Sequence, residues 1–144
     1  MRSAKIGYLS RLYFMKKRII ITASVFGVLA VIAGAFGAHA LAGVLSPQNL
    51  QIWHTGVEYQ FYHIAALGLL STLTRYRIKI IFHCYYLFTL GIILFSGSLY
   101  LLSCSTLIDI SWLQTLGAIT PIGGLLLIAG WVTLGIAALK IEYK

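Results

Sequence analysis

Four apolar stretches, at about residues 19–41, 56–73, 80–102 and 116–139, decide most of what this chain can fold into. A helix that crosses about 30 Å of hydrocarbon at about 1.5 Å per residue needs roughly 20 mostly apolar residues. Each stretch has that length, and Glu58 is the one charged residue within the four. Lipid offers the backbone no hydrogen-bond partner, so a spanning segment is a helix or a strand of a closed barrel. No alternating barrel pattern occurs. The sequence therefore predicts an all-α, polytopic membrane protein with four transmembrane helices packed as one bundle.

Composition closes the other routes. Hydrophobic residues make up 60% of the 144, and charged residues only 10%, against about 25% in an ordinary soluble domain. A soluble enzyme, a disordered tail and a disulfide-framed secreted module are excluded. The net charge of +8 does not point to nucleic acid, because the basic residues flank the apolar runs instead of accompanying base-stacking groups. Arg2, Lys5, Arg11, Lys16, Lys17 and Arg18 precede the first run; Arg75, Arg77 and Lys79 fill the middle gap; Lys140 and Lys144 end the chain. From one end to the other the loops hold 6, 0, 3, 0 and 2 Lys/Arg. By the positive-inside rule, that alternation puts both termini and the middle loop in the cytoplasm. The partner implied is the lipid bilayer, and any further partner would be a second copy or another membrane protein.

Residues 1–16 read as a basic, poorly ordered extension, and 1–14 alternatively as an upstream mis-start, since Met15-Lys16-Lys17-Arg18 also makes a natural beginning. Residues 17–144 read as one transmembrane domain. Ala38-His39-Ala40 resembles a signal-peptide cleavage site, but the run before it is about 20 residues, longer than the usual 7–15 of a signal peptide's apolar region. Ser46 and Pro47 mark a helix start, as N-cap and first helical residue. Leu50, Trp53 and Val57 recur on one face of that helix, with Gln51, His54 and Glu58 on another. Trp53 and Trp112 fall in uncharged outer segments, where an indole suits the headgroup level.

Small residues at one-turn spacing, Ala30, Gly34 and Ala38 with Gly37, predict close helix packing. The last stretch carries Gly123, Gly124 and Gly130, and Pro121 predicts a kink or break near its outer end. Close packing explains these residues more simply than a hinge or gate. Cys84 and Cys104 lie about 30 Å apart along one helix, beyond disulfide reach.

Several strings resemble a known family. Gly34-Ala35-Phe36-Gly37-Ala38-His39-Ala40-Leu41 is similar to a GAFGAHxL signature, and Tyr59, Gln60 and His63 match a YQxxH element. Ser96-Gly97-Ser98-Leu99-Tyr100 resembles SGSLY, and Thr120-Pro121-Ile122-Gly123-Gly124 with Gly130-Trp131 resembles TPxGG…GW. Together, over roughly residues 17–140, they resemble the YgdD/YwdK-like family of small four-helix bacterial inner-membrane proteins. The resemblance implies that fold and location, and brings no activity, substrate or cofactor with it.

Ionisable groups in lipid are costly and invite functional readings. Glu58 stands about 26 Å above Arg75 and His39 about 31 Å above Arg18, by helical rise. At matched depth on neighbouring helices, His39, Glu58, Tyr59, Gln60 and His63 are expected to face inward as one polar cluster. Pairing or protonation of Glu58 would relieve its burial. Three functions follow in turn. The first is a non-catalytic packing or interaction protein, the second a small transporter or channel subunit relaying through Glu58 and His63. The third is a bis-His haem or metal site, although His63 and His83 differ in depth by about 12 Å. Neither a catalytic motif nor a cofactor is called for.

Overall fold

The computed structural model describes residues 2–76, 79–107 and 117–140, with the backbone alone for 2–9 and 11. Four long helices account for nearly all of it: α1 (Arg2–Phe36), α2 (Pro47–Leu73), α3 (Ile80–Ser103) and α4 (Ile119–Leu139). Among the described residues, three segments are long and apolar enough to cross a membrane: Leu12–Leu41, α3 and α4. α2 has the length, at 27 residues, but its Gln, Asn, His and Glu side chains make it less apolar. This is an all-α membrane fold.

α1 reaches back to Arg2 in one continuous helix, well before residue 19. Met15 and Ile19, one turn apart, are both buried and join the main core. At its far end α1 loosens into a π-helical turn, Gly37–Leu41, which holds the GAHAL string. α2 starts as its local sequence dictates. The Ser46 hydroxyl accepts the Asn49 N–H at 3.2 Å and Pro47 opens the helix, so one orphan amide is satisfied and the ring needs no N–H. Asn49 then donates to Thr106 Oγ1 at 3.1 Å, tying the start of α2 to the chain beyond α3.

Consecutive helices run antiparallel, as their contacts show. Along α3 and α4, Ser98 meets Thr120, Phe95 meets Gly123, Gly91 meets Leu127 and Phe88 meets Gly130, in strictly opposite order. A Cβ on Gly123 would lie 2.4 Å from the Phe95 amide nitrogen and 2.8 Å from its Cα. Only glycine permits that backbone-to-backbone approach, which is how small residues serve packing in lipid. On Gly130 a Cβ would meet the Phe88 ring at 2.7 Å.

Two apolar clusters form the interior. One joins Ile19, Leu67, Leu70, Cys84, Phe88 and Leu127 near the end where α1 enters; the other joins Leu41, Leu45, Trp53 and Val57 at the opposite end. Cys84 and Cys104 are free thiols.

Two expectations need correction. Pro121 neither kinks nor breaks a helix, because α4 begins at Ile119 and the proline falls in its first turn. There the missing N–H has no intrahelical partner to lose. Trp53 does not present its indole outward but is buried between helices, 9% exposed. Gly37 and Ala33 leave room for its indole, whose Nε1 donates to the Ala33 carbonyl at 2.8 Å. Trp112 lies outside the described residues.

Candidate functional site

One face of α2 gathers the buried polar chemistry. Trp53, Gly56, Val57, Gln60, His63, Leu67 and Leu70 repeat every three or four residues and are all buried. Gln60, 4% exposed, uses both ends of its carboxamide. Its Nε2 donates to the Phe26 carbonyl of α1 at 2.8 Å, and its Oε1 accepts from the Tyr100 hydroxyl of α3 at 2.8 Å. One side chain thus bridges three helices. Tyr100 in turn packs on Trp53, ring centroids 4.7 Å apart, and its edge fills the notch left by Gly56.

His63, 5% exposed, sits about a turn further along. Nδ1 is 2.6 Å from the Tyr59 carbonyl, and Nε2 is 3.2 Å from Trp131 Nε1 of α4. Indole N–H can only donate and a carbonyl can only accept. The ring is therefore the neutral tautomer with its proton on Nδ1, accepting from Trp131 through Nε2. Both nitrogens are engaged, so ligation of haem or metal by His63 would require breaking one of these bonds. Phe88 closes the pocket against both rings, at 5.8 Å from His63 and 5.5 Å from Trp131. Among the described residues, no group of three or more His, Cys, Asp or Glu could hold a metal ion.

Glu58 and His39 do not join this network. Both are exposed, and among the described residues neither makes a hydrogen bond or ion pair. The expected His39–Glu58 pair is absent for an angular reason. Two residues on a helix are about 200° apart, so with Gln60 inward, Glu58 points outward. His39 stands in the same relation to buried Gly37. Tyr59 is half-exposed, its ring on Phe95 at 4.7 Å, and Tyr62 is exposed. Of the packing residues, Ala30 is fully buried, Gly34 meets Val57 at ordinary contact, and Ala38 is exposed. A Cβ on Gly124 would touch the Phe95 ring at 3.6 Å, without conflict.

Sequence reasoning missed three features. Tyr100 and Trp131 stand in the sequence only as parts of the matched strings, although a tyrosine or tryptophan in a span needs a partner for its polar atom. Thr22 and Tyr85 share a hydrogen bond of 2.8 Å between α1 and α3. Further along, those two helices diverge around a groove of about 400 Å³, lined by Phe26, Ile32, Trp53, Ile92 and Gly97, with Gln60 and Tyr100 among its walls. The Thr89 and Ser96 hydroxyls are buried without a partner.

These contacts fall on the strings that carried the resemblance, and comparison with known proteins decides the kinship. A family model described as protein of unknown function, DUF423, matches residues 33–124. The chain belongs to the DUF423 family. It is 41% identical over 126 residues to the UPF0382 membrane protein YwdK of Bacillus subtilis, spanning 86% of this chain and 98% of that protein. With the UPF0382 inner membrane protein YgdD of Escherichia coli K12 it shares 38% over 127 residues, covering 87% and 92%. A third relative, the UPF0382 membrane protein SERP0230 of Staphylococcus epidermidis, is 42% identical over 127 residues, covering 86% of this chain and 97% of that protein. No solved structure matches.

Proposed function

We propose that this DUF423 protein is a four-span inner-membrane protein with cytoplasmic termini, whose role is to pack with or hold a membrane partner, without catalysis or transport. The observation that carries the reading is the division of the polar residues. Gln60 and His63 are buried and commit their polar atoms to neighbouring helices. Glu58, the acidic group a relay would need, points away from them. A proton relay requires titratable groups in succession, whereas Gln60 and His63 are engaged with neutral partners. The inward face of α2 also supports its counting as a fourth span, since its Gln and His are turned away from lipid. The inner-membrane location is supported by the name of the relative YgdD.

Two measurements test the reading. Reporter fusions at residues 48, 76 and 111 are expected to report outside, inside and outside; a cytoplasmic signal at 48 overturns the topology. In proteoliposomes the chain is expected to conduct no more protons or ions than empty vesicles. A flux that Glu58→Gln abolishes while the fold survives would establish the transporter reading instead.

A further inference from the structure

Near residues 16 and 75, α1 and the end of α2 enclose a second cleft, which the interhelical bonds above do not account for. It measures about 460 Å³ and is lined by Leu12, Tyr13, Lys16, Thr72, Thr74 and Arg75. Both of its charges are positive. Thr72 and Thr74 donate their hydroxyls to carbonyls of their own chain, Leu69 and Ser71, so the donors left for a ligand are Lys16, Arg75 and the Tyr13 phenol. Arg75 is held in place: Nη2 donates to the Tyr76 hydroxyl at 2.7 Å and the guanidinium lies 4.8 Å from that ring's centroid. Its remaining N–H groups are free to receive an anion. Lys16 makes no hydrogen bond or ion pair among the described residues. Glu58 is the one described carboxylate, and it stands 17 residues up α2 from Arg75, about 25 Å by helical rise. Among the described residues, the cleft has no counter-ion of its own.

Its surroundings choose the anion. One turn into the membrane from Lys16 on α1 is Ile20, and one turn in from Thr72 on α2 is Leu69; both are exposed. Residues three or four apart share a helix face, so an apolar track leads directly away from the two cations. A free phosphate would use the cations alone, whereas a phospholipid uses both. We propose that this cleft holds an anionic phospholipid, its phosphodiester between Lys16 and Arg75 beside Tyr13, and an acyl chain along Ile20 and Leu69. Basic pockets between helices at a membrane surface bind such headgroups. The proposal rests on the topology above only for the leaflet, which is there the cytoplasmic one.

The full chain, purified in neutral detergent, is titrated with phosphatidylglycerol, phosphatidylcholine and inorganic phosphate, reading thermal unfolding and bound lipid by native mass spectrometry. Phosphatidylglycerol is expected to raise the unfolding temperature and appear as a one-to-one adduct. Phosphatidylcholine should do neither, and phosphate should bind at least about tenfold more weakly than the lipid, lacking the acyl contact. At roughly fivefold per surface cation, Lys16→Gln with Arg75→Gln is expected to weaken phosphatidylglycerol about 25-fold. Lys79→Gln with Lys140→Gln removes the same charge outside the cleft and should change it under about threefold on the same scale. The proposal fails if the second pair loses as much as the first, if phosphatidylcholine binds equally, or if phosphate alone matches the lipid. Should the double variant not fold, Lys16→Gln alone, at an exposed position, carries the test with a loss of roughly fivefold. A reporter at residue 76 reading outside would move the cleft to the other leaflet and leave the binding intact, so failures of topology and of the site stay distinct.

Discussion

The α3–α4 interface and the α1–α2 interface solve the same problem by different means. Between α3 and α4 the backbones touch: Gly123 lies on Phe95, Gly91 under Leu127 and Gly130 under Phe88, with one polar link of 2.7 Å between Ser98 and Thr120. Between α1 and α2 the Trp53 ring fills the notch at Gly37 just past α1, and the polar links are side chains reaching to α1 carbonyls, from Trp53 to Ala33 and from Gln60 to Phe26. In lipid, apolar surface gains nothing by leaving acyl chains, so helices associate through close packing and interhelical hydrogen bonds. The comparison teaches that one small domain can use each in a separate place. A helix rich in glycine needs few bonds; a helix like α1, with Val28, Leu29, Val31 and Ile32 exposed to lipid, is anchored by a few specific ones.

The largest effect is expected where backbone meets backbone. Gly123→Ala should destabilise the bundle by about 3 kcal/mol, since overpacking a rigid contact costs about 1–3 kcal/mol. Its neighbour Gly124→Ala should be neutral or slightly stabilising, because alanine favours helix over glycine by about 1 kcal/mol. Unfolding of the two variants in the same detergent would show it, and equal losses would break the backbone-contact account. Next in size is Gln60→Leu. It removes two interhelical bonds, each worth about 0.6–1.7 kcal/mol in lipid, so a loss of about 2 kcal/mol is expected. Spin labels on α1 and α3 should then report those helices moving apart while α3 and α4 stay together. If α4 separates as well, the two interfaces are not independent. Trp131→Phe keeps the ring against Phe88 but deletes the donor to His63, for an expected loss of about 0.6 kcal/mol. Smallest is Glu58→Gln, an exposed change without a partner to lose, expected within about 0.5 kcal/mol of no effect. A large loss there would mean that Glu58 has a partner in the membrane.

Local physics made much of this legible. Ser46 and Pro47 opened α2 where cap chemistry requires, because an N-cap depends on residues within one turn of it. The height of each polar residue along its own helix could likewise be counted from the sequence, since helical rise is a constant. Azimuth did not. Leu50, Trp53 and Val57 already marked one face with Glu58 off it, and continuing that spacing leads to Gln60. Matching His39 and Glu58 by height alone overlooked the rotation that separates Glu58 from Gln60. The burial of Trp53 was hidden for a related reason: only the notch at Gly37 and the Ala33 carbonyl, both on the neighbouring segment, show that its indole has a place and a partner inside.

Length, apolar character and charge alternation determined by themselves that this chain is a helical membrane protein, because hydrocarbon imposes the same demand on every backbone whatever its neighbours. Which atoms satisfy the buried polar side chains was decided by the tertiary structure alone. A carboxamide or imidazole in lipid is tolerable only where another helix presents a complementary atom within about 3 Å. For Gln60 and His63 those atoms belong to Phe26, Tyr100 and Trp131, residues that no spacing along the chain connects to them.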